Sequence, residues 1–282
     1  MAQLLKGAPV AAALSAELAN RSDALKAQGV TPTLAILRVG ERPDDISYET
    51  GAVKRCEKTG IAVKKVLLPA GSTSEELLKA VRQINGDPAV HGCLMLRPLP
   101  DADAEWAACC MLSPEKDVDG VTPSALGTVF TGRGAGYPPC TAQACMEILS
   151  YYGIPLDGKR AVVIGRSLVV GRPVSMLLQR RNATVTMCHS RTADLPAVCR
   201  EADVLIAAAG QAGMVDASYV RSGQVVIDVG IHVNEAGKLC GDAAFDAVEP
   251  VVEAITPVPG GVGAVTTAVL AKHVVEAAER CL

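Results

Sequence analysis

A glycine turn that follows a run of β-branched residues is the first feature of this sequence that could bind a charged ligand. Residues 162–164 read Val-Val-Ile and lead into Gly165, and Gly171 follows six residues later. This pattern predicts a buried strand, a turn and a helix whose N-terminus offers unpaired backbone N–H groups to a pyrophosphate. Gly165, Arg166, Ser167 and Gly171 are therefore predicted cofactor-binding residues. Ser167 replaces the middle glycine of G-x-G-x-x-G, so an ordinary strand–turn–helix fits the pattern equally well.

Cationic and hydroxyl side chains follow the next predicted strand, residues 183–188. There the chain continues as His189, Ser190 and Arg191. In a dinucleotide-binding fold this position faces the adenosine ribose, where an acidic residue selects the free 2′-hydroxyl of NAD. No Asp or Glu stands here, and Ser190, Arg191 and the earlier Arg166 suit the 2′-phosphate of NADP. The sequence favours NADP, although Arg191 could also be a solvated surface charge.

A second glycine-rich stretch spans residues 255–263 and reads Ile-Thr-Pro-Val-Pro-Gly-Gly-Val-Gly. Glycine allows the backbone to approach a ligand closely, and proline keeps the approaching chain rigid. We therefore expect Pro257, Gly260 and Gly261 to line a ligand pocket through their backbone.

The elements that must position these residues alternate between strands and helices, which predicts parallel sheets with right-handed crossovers. In the first half, strands are predicted over 33–39, 61–68 and 90–96, and the Ser-Thr-Ser-Glu-Glu stretch at 72–76 begins a helix with a capping box. A fresh β-α-β series begins at Lys159, and a closing helix over 264–282 has the apolar spacing to pack on the first domain. The predicted fold is α/β with two domains. Residues 1–140 plus 266–282 form the first, and 141–265 form a Rossmann-type dinucleotide-binding domain.

Composition excludes several classes of protein. The 282 residues are 49% hydrophobic and 3% aromatic, and 27 basic against 30 acidic residues give a net charge of −3. The sequence lacks a basic patch that would predict nucleic-acid binding. It also lacks an apolar stretch of the roughly 18 residues that a membrane span needs. The ten cysteines form no C-x-x-C pair, so we interpret them as small buried hydrophobes rather than metal ligands or disulfides. We expect a cytoplasmic protein without a metal site.

Five segments in this order resemble the methylenetetrahydrofolate dehydrogenase/cyclohydrolase family. They are Lys-Asp-Val-Asp-Gly at 116–120, Pro-Cys-Thr at 139–141, the glycine turn at 165–173, Cys-His-Ser-Arg-Thr at 188–192 and the loop at 256–263. The resemblance spans nearly the whole chain. It implies a folate-binding domain and an NADP-binding Rossmann domain with a folate cleft between them, and a homodimer.

The resemblance also implies roles for individual residues. Tyr48 is expected to pack over the aminobenzoyl ring of the folate. Asp119 is expected to accept hydrogen bonds from the paired amino and ring N–H donors of the pteridine, which a carboxylate matches. We regard both as candidate catalytic and substrate-binding residues. Pro257, Gly260 and Gly261 are expected in the pteridine pocket, and Ile231 is added to the cofactor-binding residues.

The sequence departs from the family at two linked positions. The family carries lysine four residues after the tyrosine, but Ala52 stands there, and the glutamine that partners this lysine is Leu96. Losing both polar partners together can be nearly neutral for folding, whereas losing one would leave the other unpaired. In the family this pair serves the hydrolysis of the methenyl cation, which needs proton transfer. We therefore expect NADP-dependent oxidation of 5,10-methylenetetrahydrofolate with weak or absent cyclohydrolase activity.

Three alternatives remain open at the level of sequence. The protein could be fully bifunctional if Arg55 or Lys54 reached the cleft after a local helix distortion. It could be an NAD(P)-dependent oxidoreductase of another substrate on the same scaffold, or a folate- or nucleotide-binding module without catalysis.

Overall fold

A computed structural model describes residues 1–234 and 236–282. Up to residue 151 its elements are β1 (Gln3–Leu4), α1 (Gly7–Ala27), β2 (Thr33–Val39), α2 (Pro43–Lys58), β3 (Ala62–Leu68), α3 (Ser74–Gly86), β4 (Gly92–Met95), α4 (Ala102–Met111), α5 (Pro123–Thr131) and α6 (Cys140–Tyr151). They continue with β5 (Arg160–Ile164), α7 (Gly171–Arg180), β6 (Thr184–Cys188), α8 (Leu195–Arg200), β7 (Val204–Ala207), β8 (Val225–Asp228), β9 (His232–Val233), β10 (Leu239–Cys240), α9 (Phe245–Val248), β11 (Ala254–Ile255) and α10 (Thr266–Glu279).

The described residues form two compact units. The six-stranded unit comprises residues 1–12 and 141–266, and the three-stranded unit comprises residues 13–140 and 267–282. The sequence-based boundaries place residues 1–12 in the first domain, but the structure places them in the six-stranded unit. The physical reason is strand pairing, because Gln3 and Leu4 pair in parallel with Ala254 and Ile255 of β11. The prediction of a two-domain α/β fold with parallel sheets is confirmed.

The sheet of the six-stranded unit is parallel throughout, in the order β1-β11-β8-β7-β5-β6. Strands β7 and β8 are buried along their whole length, as expected for a parallel sheet covered on both faces. The chain passes from β5 to β6 on one side and then returns to β7 on the other side of β5. The carboxyl end of β5 is therefore a topological switch point, the place where open α/β sheets bind their ligands.

The three-stranded unit contains a parallel sheet in the order β3-β2-β4. The central strand β2 is buried at every residue except Thr33. The edge strand β3 exposes Lys64 and Lys65, and charged side chains of this kind discourage pairing with another chain. Helix α3 begins with the predicted capping box, in which the Thr73 hydroxyl accepts from the Glu76 N–H and the Glu76 carboxylate accepts from the Thr73 N–H.

Two kinds of feature are absent from the residues that the structure describes. No helix among them is long and apolar enough to cross a membrane. Residues 1–234 and 236–282 also contain no cluster of three or more His, Cys, Asp or Glu side chains that could hold a metal ion.

Candidate functional site

The turn after β5 can be built only from glycine at two positions. Gly165 has a φ of 124°, and a Cβ there would collide with the carbonyl oxygen of Ala208. A Cβ on Gly171, the first residue of α7, would collide with the backbone of Gly165. The Ser167 hydroxyl accepts from the N–H groups of Val170 (3.1 Å) and Gly171 (3.4 Å). Ser167 therefore satisfies two backbone donors at the start of α7, which gives the serine at the middle glycine position a structural role.

A cavity of about 550 Å³ opens at this switch point. Gly165, Arg166, Ser167 and Ser190 line it together, so the structure brings four of the predicted cofactor-binding residues to one place. The rest of its wall includes His189, Thr192, Ala208, Gln211, Met214 and Tyr219. Arg191 is exposed on the same turn as Ser190, and its N–H donates to Nδ1 of His189 (3.2 Å). The cavity contains the donors and the close backbone approach that a dinucleotide phosphate needs.

The glycine-rich loop at 257–263 lines a smaller cavity of about 280 Å³ in the same unit. Pro257, Gly260 and Gly261, predicted for the substrate, share this cavity with Ile231, predicted for the cofactor. The loop is held by the start of α1, where the N–H of Gly7 donates to the carbonyl of Gly260 (2.8 Å). The structure thus groups residues that sequence analysis assigned to two different ligands.

Asp228, at the end of β8, also lines this cavity and was not a predicted site residue. Its carboxylate accepts from the N–H groups of Gly230 (3.2 Å), Asp242 (2.9 Å) and Ala243 (2.9 Å). Burial raises its pKa to about 6, against the lowering effect of these hydrogen bonds. Asp242 in turn contacts Nε2 of His232 (2.7 Å). The Gly241-Asp242 pair is visible in the sequence as a turn, but its contact with the end of β8 is non-local.

In the three-stranded unit, the two charged residues at the start of the 116–120 loop have structural partners. Nζ of Lys116 donates to the carbonyls of Ile84 (2.8 Å), Asn85 (2.9 Å) and Asp87 (2.7 Å), which end α3. The buried carboxylate of Asp117 accepts from the N–H groups that follow the loop, those of Val121 (3.0 Å) and Thr122 (2.7 Å). These two residues fix the loop.

Asp119 is partly exposed whereas Asp117 is buried, so the carboxylate of Asp119 can meet a ligand. Burial raises the pKa of its carboxyl to about 6. A hydrogen bond from the Cys140 thiol opposes the rise, the charge of Asp117 adds to it, and the charge of Arg97 opposes it. The group is therefore ionised at neutral pH while still close to its titration range. Such shifted carboxyls are concentrated at functional sites.

Helix α2 carries Tyr48, which is partly exposed. Ala52 lies on the buried face with 1% exposure, and Leu96 is 5% exposed. Arg55 donates to the hydroxyls of Ser15 (2.7 Å) and Thr267 (3.4 Å). The helix runs continuously from Pro43 to Lys58, so it lacks the local distortion that would redirect Arg55 or Lys54.

A buried ion-pair network on α2 was not predicted from the sequence. Glu49 lies next to Tyr48 and contacts Nε of Arg38 (2.8 Å) and Nζ of Lys65 (2.7 Å). The pKa of Glu49 is lowered because the hydrogen bonds and charges of these two cations outweigh its desolvation. The network ties α2 to β2 and β3, and so holds the helix that carries Tyr48.

Comparison with known proteins covers nearly the entire chain. Family models for the catalytic domain and the NAD(P)-binding domain of tetrahydrofolate dehydrogenase/cyclohydrolase match residues 5–119 and 139–282. The "Bifunctional protein FolD" of Carboxydothermus hydrogenoformans is 54% identical over 99% of this chain and 98% of its own, and that of Clostridioides difficile is 51% identical over 98% and 96%.

Solved structures agree with these matches. The bifunctional enzyme FolD of Campylobacter jejuni has a TM-score of 0.97 with 38% identity over 100% of both chains. The methylenetetrahydrofolate dehydrogenase-cyclohydrolase of Trypanosoma brucei, solved with NADP and an inhibitor, has a TM-score of 0.92 with 36% identity over 99% of this chain and 98% of its own.

Proposed function

Because the chain belongs to the tetrahydrofolate dehydrogenase/cyclohydrolase family, we propose that it oxidises 5,10-methylenetetrahydrofolate with NADP and hydrolyses the methenyl product. The observation that carries this proposal is similarity over nearly the full length, to relatives 54% and 51% identical that bear the name of a bifunctional enzyme. The protein would thus interconvert one-carbon units carried by tetrahydrofolate.

The cavity at the end of β5 fits NADP. Gly165 and Gly171 allow the tight turn from β5 into α7, and Arg166 and Ser190 place a cation and a hydroxyl on the cavity wall, next to the exposed Arg191. When bound, NADP supplies the nicotinamide that accepts the hydride. The role of the chain is to hold the phosphates at the start of α7 and to orient the dinucleotide. The NADP complex of the Trypanosoma brucei protein supports this cofactor.

The residues proposed for the folate act by binding and orientation. The carboxylate of Asp119 accepts from the paired donors of the pteridine, and Tyr48 packs on the aminobenzoyl ring. Pro257, Gly260 and Gly261 supply rigid backbone to the pteridine pocket. Hydride transfer from the one-carbon bridge leaves a cation stabilised by the flanking nitrogens, so positioning provides most of the catalysis.

The expectation of weak or absent cyclohydrolase activity is not supported by the comparisons. Its basis was the replacement of a lysine and its glutamine partner by Ala52 and Leu96, both of which are buried. Relatives at 54% and 51% identity are nevertheless named bifunctional, which favours the alternative of two activities. The route through Arg55 or Lys54 lacks support, because α2 is continuous and Arg55 is bonded to Ser15.

Two assays on the purified protein test the proposal. Reduction of NADP that depends on methylenetetrahydrofolate is expected, as is hydrolysis of added methenyltetrahydrofolate well above the buffer blank. Absence of the first activity would refute the proposal as a whole. Oxidation with hydrolysis no faster than the blank would refute only the second activity. Replacing Arg191 by alanine is expected to raise the KM for NADP while leaving that for NAD unchanged, since only NADP carries the 2′-phosphate.

We propose that the protein is active as a homodimer and that it is located in the cytoplasm. Light scattering on the purified protein tests the first part, and a monomeric mass at micromolar concentration would contradict it.

A further inference from the structure

We propose that His273 is a positioning residue for Asp119, which it holds through the carbonyl group of Val118. The inference rests on the proposed folate site, because it assigns His273 to the geometry of that site. All of the groups involved lie in the three-stranded unit.

The contact between His273 and Val118 is short and protected. Nδ1 of His273 lies 2.8 Å from the Val118 carbonyl oxygen, while the two residues are 2% and 0% exposed. A carbonyl oxygen can only accept, so Nδ1 carries a proton and donates it to this bond. The imidazole is the shorter of the two donors to this buried carbonyl, so the bond stabilises one orientation of the group.

This carbonyl determines where Asp119 points. The carbonyl of Val118 and the N–H of Asp119 belong to one planar peptide group. Fixing the carbonyl therefore fixes the plane from which the Cα of Asp119 projects. The next residue, Gly120, has a φ of 69°, and a Cβ there would collide with the backbone of residues 137–139. The loop is thus fixed on both sides of Asp119.

The imidazole itself is held in place by stacking. The Tyr137 ring lies 4.8 Å from the His273 ring at an interplanar angle of 30°, and the Arg280 guanidinium is 4.4 Å from the Tyr137 centroid. Positions 273 and 280 are about 10 Å apart along a helix, so the tyrosine ring fits the space between the two side chains. These contacts restrict rotation of the imidazole and keep Nδ1 directed at Val118.

A second group acts on the same loop from the start of α6. Sγ of Cys140 lies 3.4 Å from the Val118 carbonyl oxygen and 3.9 Å from Nδ1 of His273. Its single S–H proton faces both this carbonyl oxygen and the Asp119 carboxylate, and it donates to one of them at a time. Asp119 is therefore held through its backbone by His273 and through its side chain by Cys140. Helix α10 and the 137–140 segment both contribute to the position of this one carboxylate.

Three substitutions at His273 separate positioning from general packing. Asparagine places its amide N–H₂ near the position of Nδ1 and is expected to keep the bond to Val118. Glutamine places the same group near Nε2, and leucine removes it, so both are expected to lose the bond. A 1 Å misplacement of a group that positions the substrate can lower the reaction rate about a hundredfold. We expect His273→Gln and His273→Leu to raise the KM for methylenetetrahydrofolate and the Kd for tetrahydrofolate between about tenfold and a hundredfold, with the KM for NADP unchanged.

The matched control is Val275→Ala, a buried position on the same helix. It is expected to lower the midpoint of unfolding as much as His273→Leu while leaving the folate constants within twofold of the wild type. The folate constants of His273→Asn should also stay within about threefold of the wild-type values. Equal folate constants for wild type and His273→Leu, or equal values for the asparagine and glutamine variants, would overturn the inference. A wild type that neither binds tetrahydrofolate, by calorimetry, nor turns over would refute the proposed function and this inference with it.

Discussion

Replacing Asp119 by asparagine is expected to stabilise the three-stranded unit at neutral pH while removing its proposed contact with the pteridine. The carboxyl has a pKa of about 6 in the folded protein, against 3.8 for an unperturbed aspartate. The folded state therefore binds the proton more tightly than the unfolded state does. Stability falls as the pH rises from about 4 to about 6, because ionisation then costs free energy in the folded protein. Asparagine keeps the shape of the side chain and carries no charge at any pH.

The size of the effect follows from the pKa. A rise of this extent corresponds to at most about 3 kcal/mol of differential stability. The side chain is partly exposed, and solvent screening reduces the expected gain to about 1–2 kcal/mol at pH 8. Below pH 4 both side chains are neutral, so the difference should nearly vanish.

Urea unfolding at pH 4, 6 and 8 measures this difference. The one tryptophan, Trp106, is 59% exposed, so exchange of the buried backbone amides of residues 13–140 is used to follow unfolding of this unit. Asp117→Asn is the matched control. Its carboxylate accepts two backbone N–H bonds, so its loss is expected to destabilise the unit by about 1–3 kcal/mol. The reasoning is refuted if Asp119→Asn is less stable than the wild type at pH 8, or if its stability still falls as steeply between pH 4 and 6.

Three further substitutions have expected outcomes. Gly165→Ala places a Cβ against the Ala208 carbonyl at a positive φ, so the Kd for NADP by calorimetry should rise at least about tenfold; an unchanged Kd would contradict the phosphate site. Lys116→Met keeps the apolar stem but loses three bonds to the carbonyls that end α3, and urea unfolding should show a loss of about 2–3 kcal/mol rather than none. Gly7→Ala collides with the Gly261 carbonyl, so it should raise the KM for methylenetetrahydrofolate, and an unchanged KM would contradict the role of this loop.

Local signals in the sequence predicted most of the fold. Strand β2 has its predicted bounds, and the capping box of α3 forms as expected, since both depend on residues close together in the chain. Helix α5 was missed even though Thr122 caps it, Pro123 begins it and Gly132 ends it, so its signal was present. Strand β1 could not have been predicted, because two residues acquire strand structure only by pairing with β11.

In the candidate site, too, the features that depend on neighbouring residues were predicted, and those that depend on distant contacts were not. The glycine turn was predicted from spacing, and its Gly165, Arg166 and Ser167 meet Ser190 at one cavity, whereas Gly171 lies outside the cavity lining. The hydrogen bonds from residues 242 and 243 to the Asp228 carboxylate join segments far apart in sequence, as does the contact of His273 with Val118. No periodicity or turn pattern encodes such contacts. Burial of Ala52 and Leu96 shows that their positions are closed to solvent, but chemistry at a missing lysine cannot be inferred from packing alone.

The division of the chain into interleaved segments affects the order in which the protein can fold during synthesis. Residues 13–140 leave the ribosome before residues 141–266, which complete the six-stranded unit. They nevertheless lack α10 until residues 267–282 have been made. At about 5–20 residues per second this delay is on the order of ten seconds. Throughout it, Val118 and Gly92 lack the Val274 side chain that packs near them, and the Val118 carbonyl lacks its histidine. The earlier-made unit is therefore the later to finish, and it is the one that nascent-chain binding factors would have to protect from aggregation.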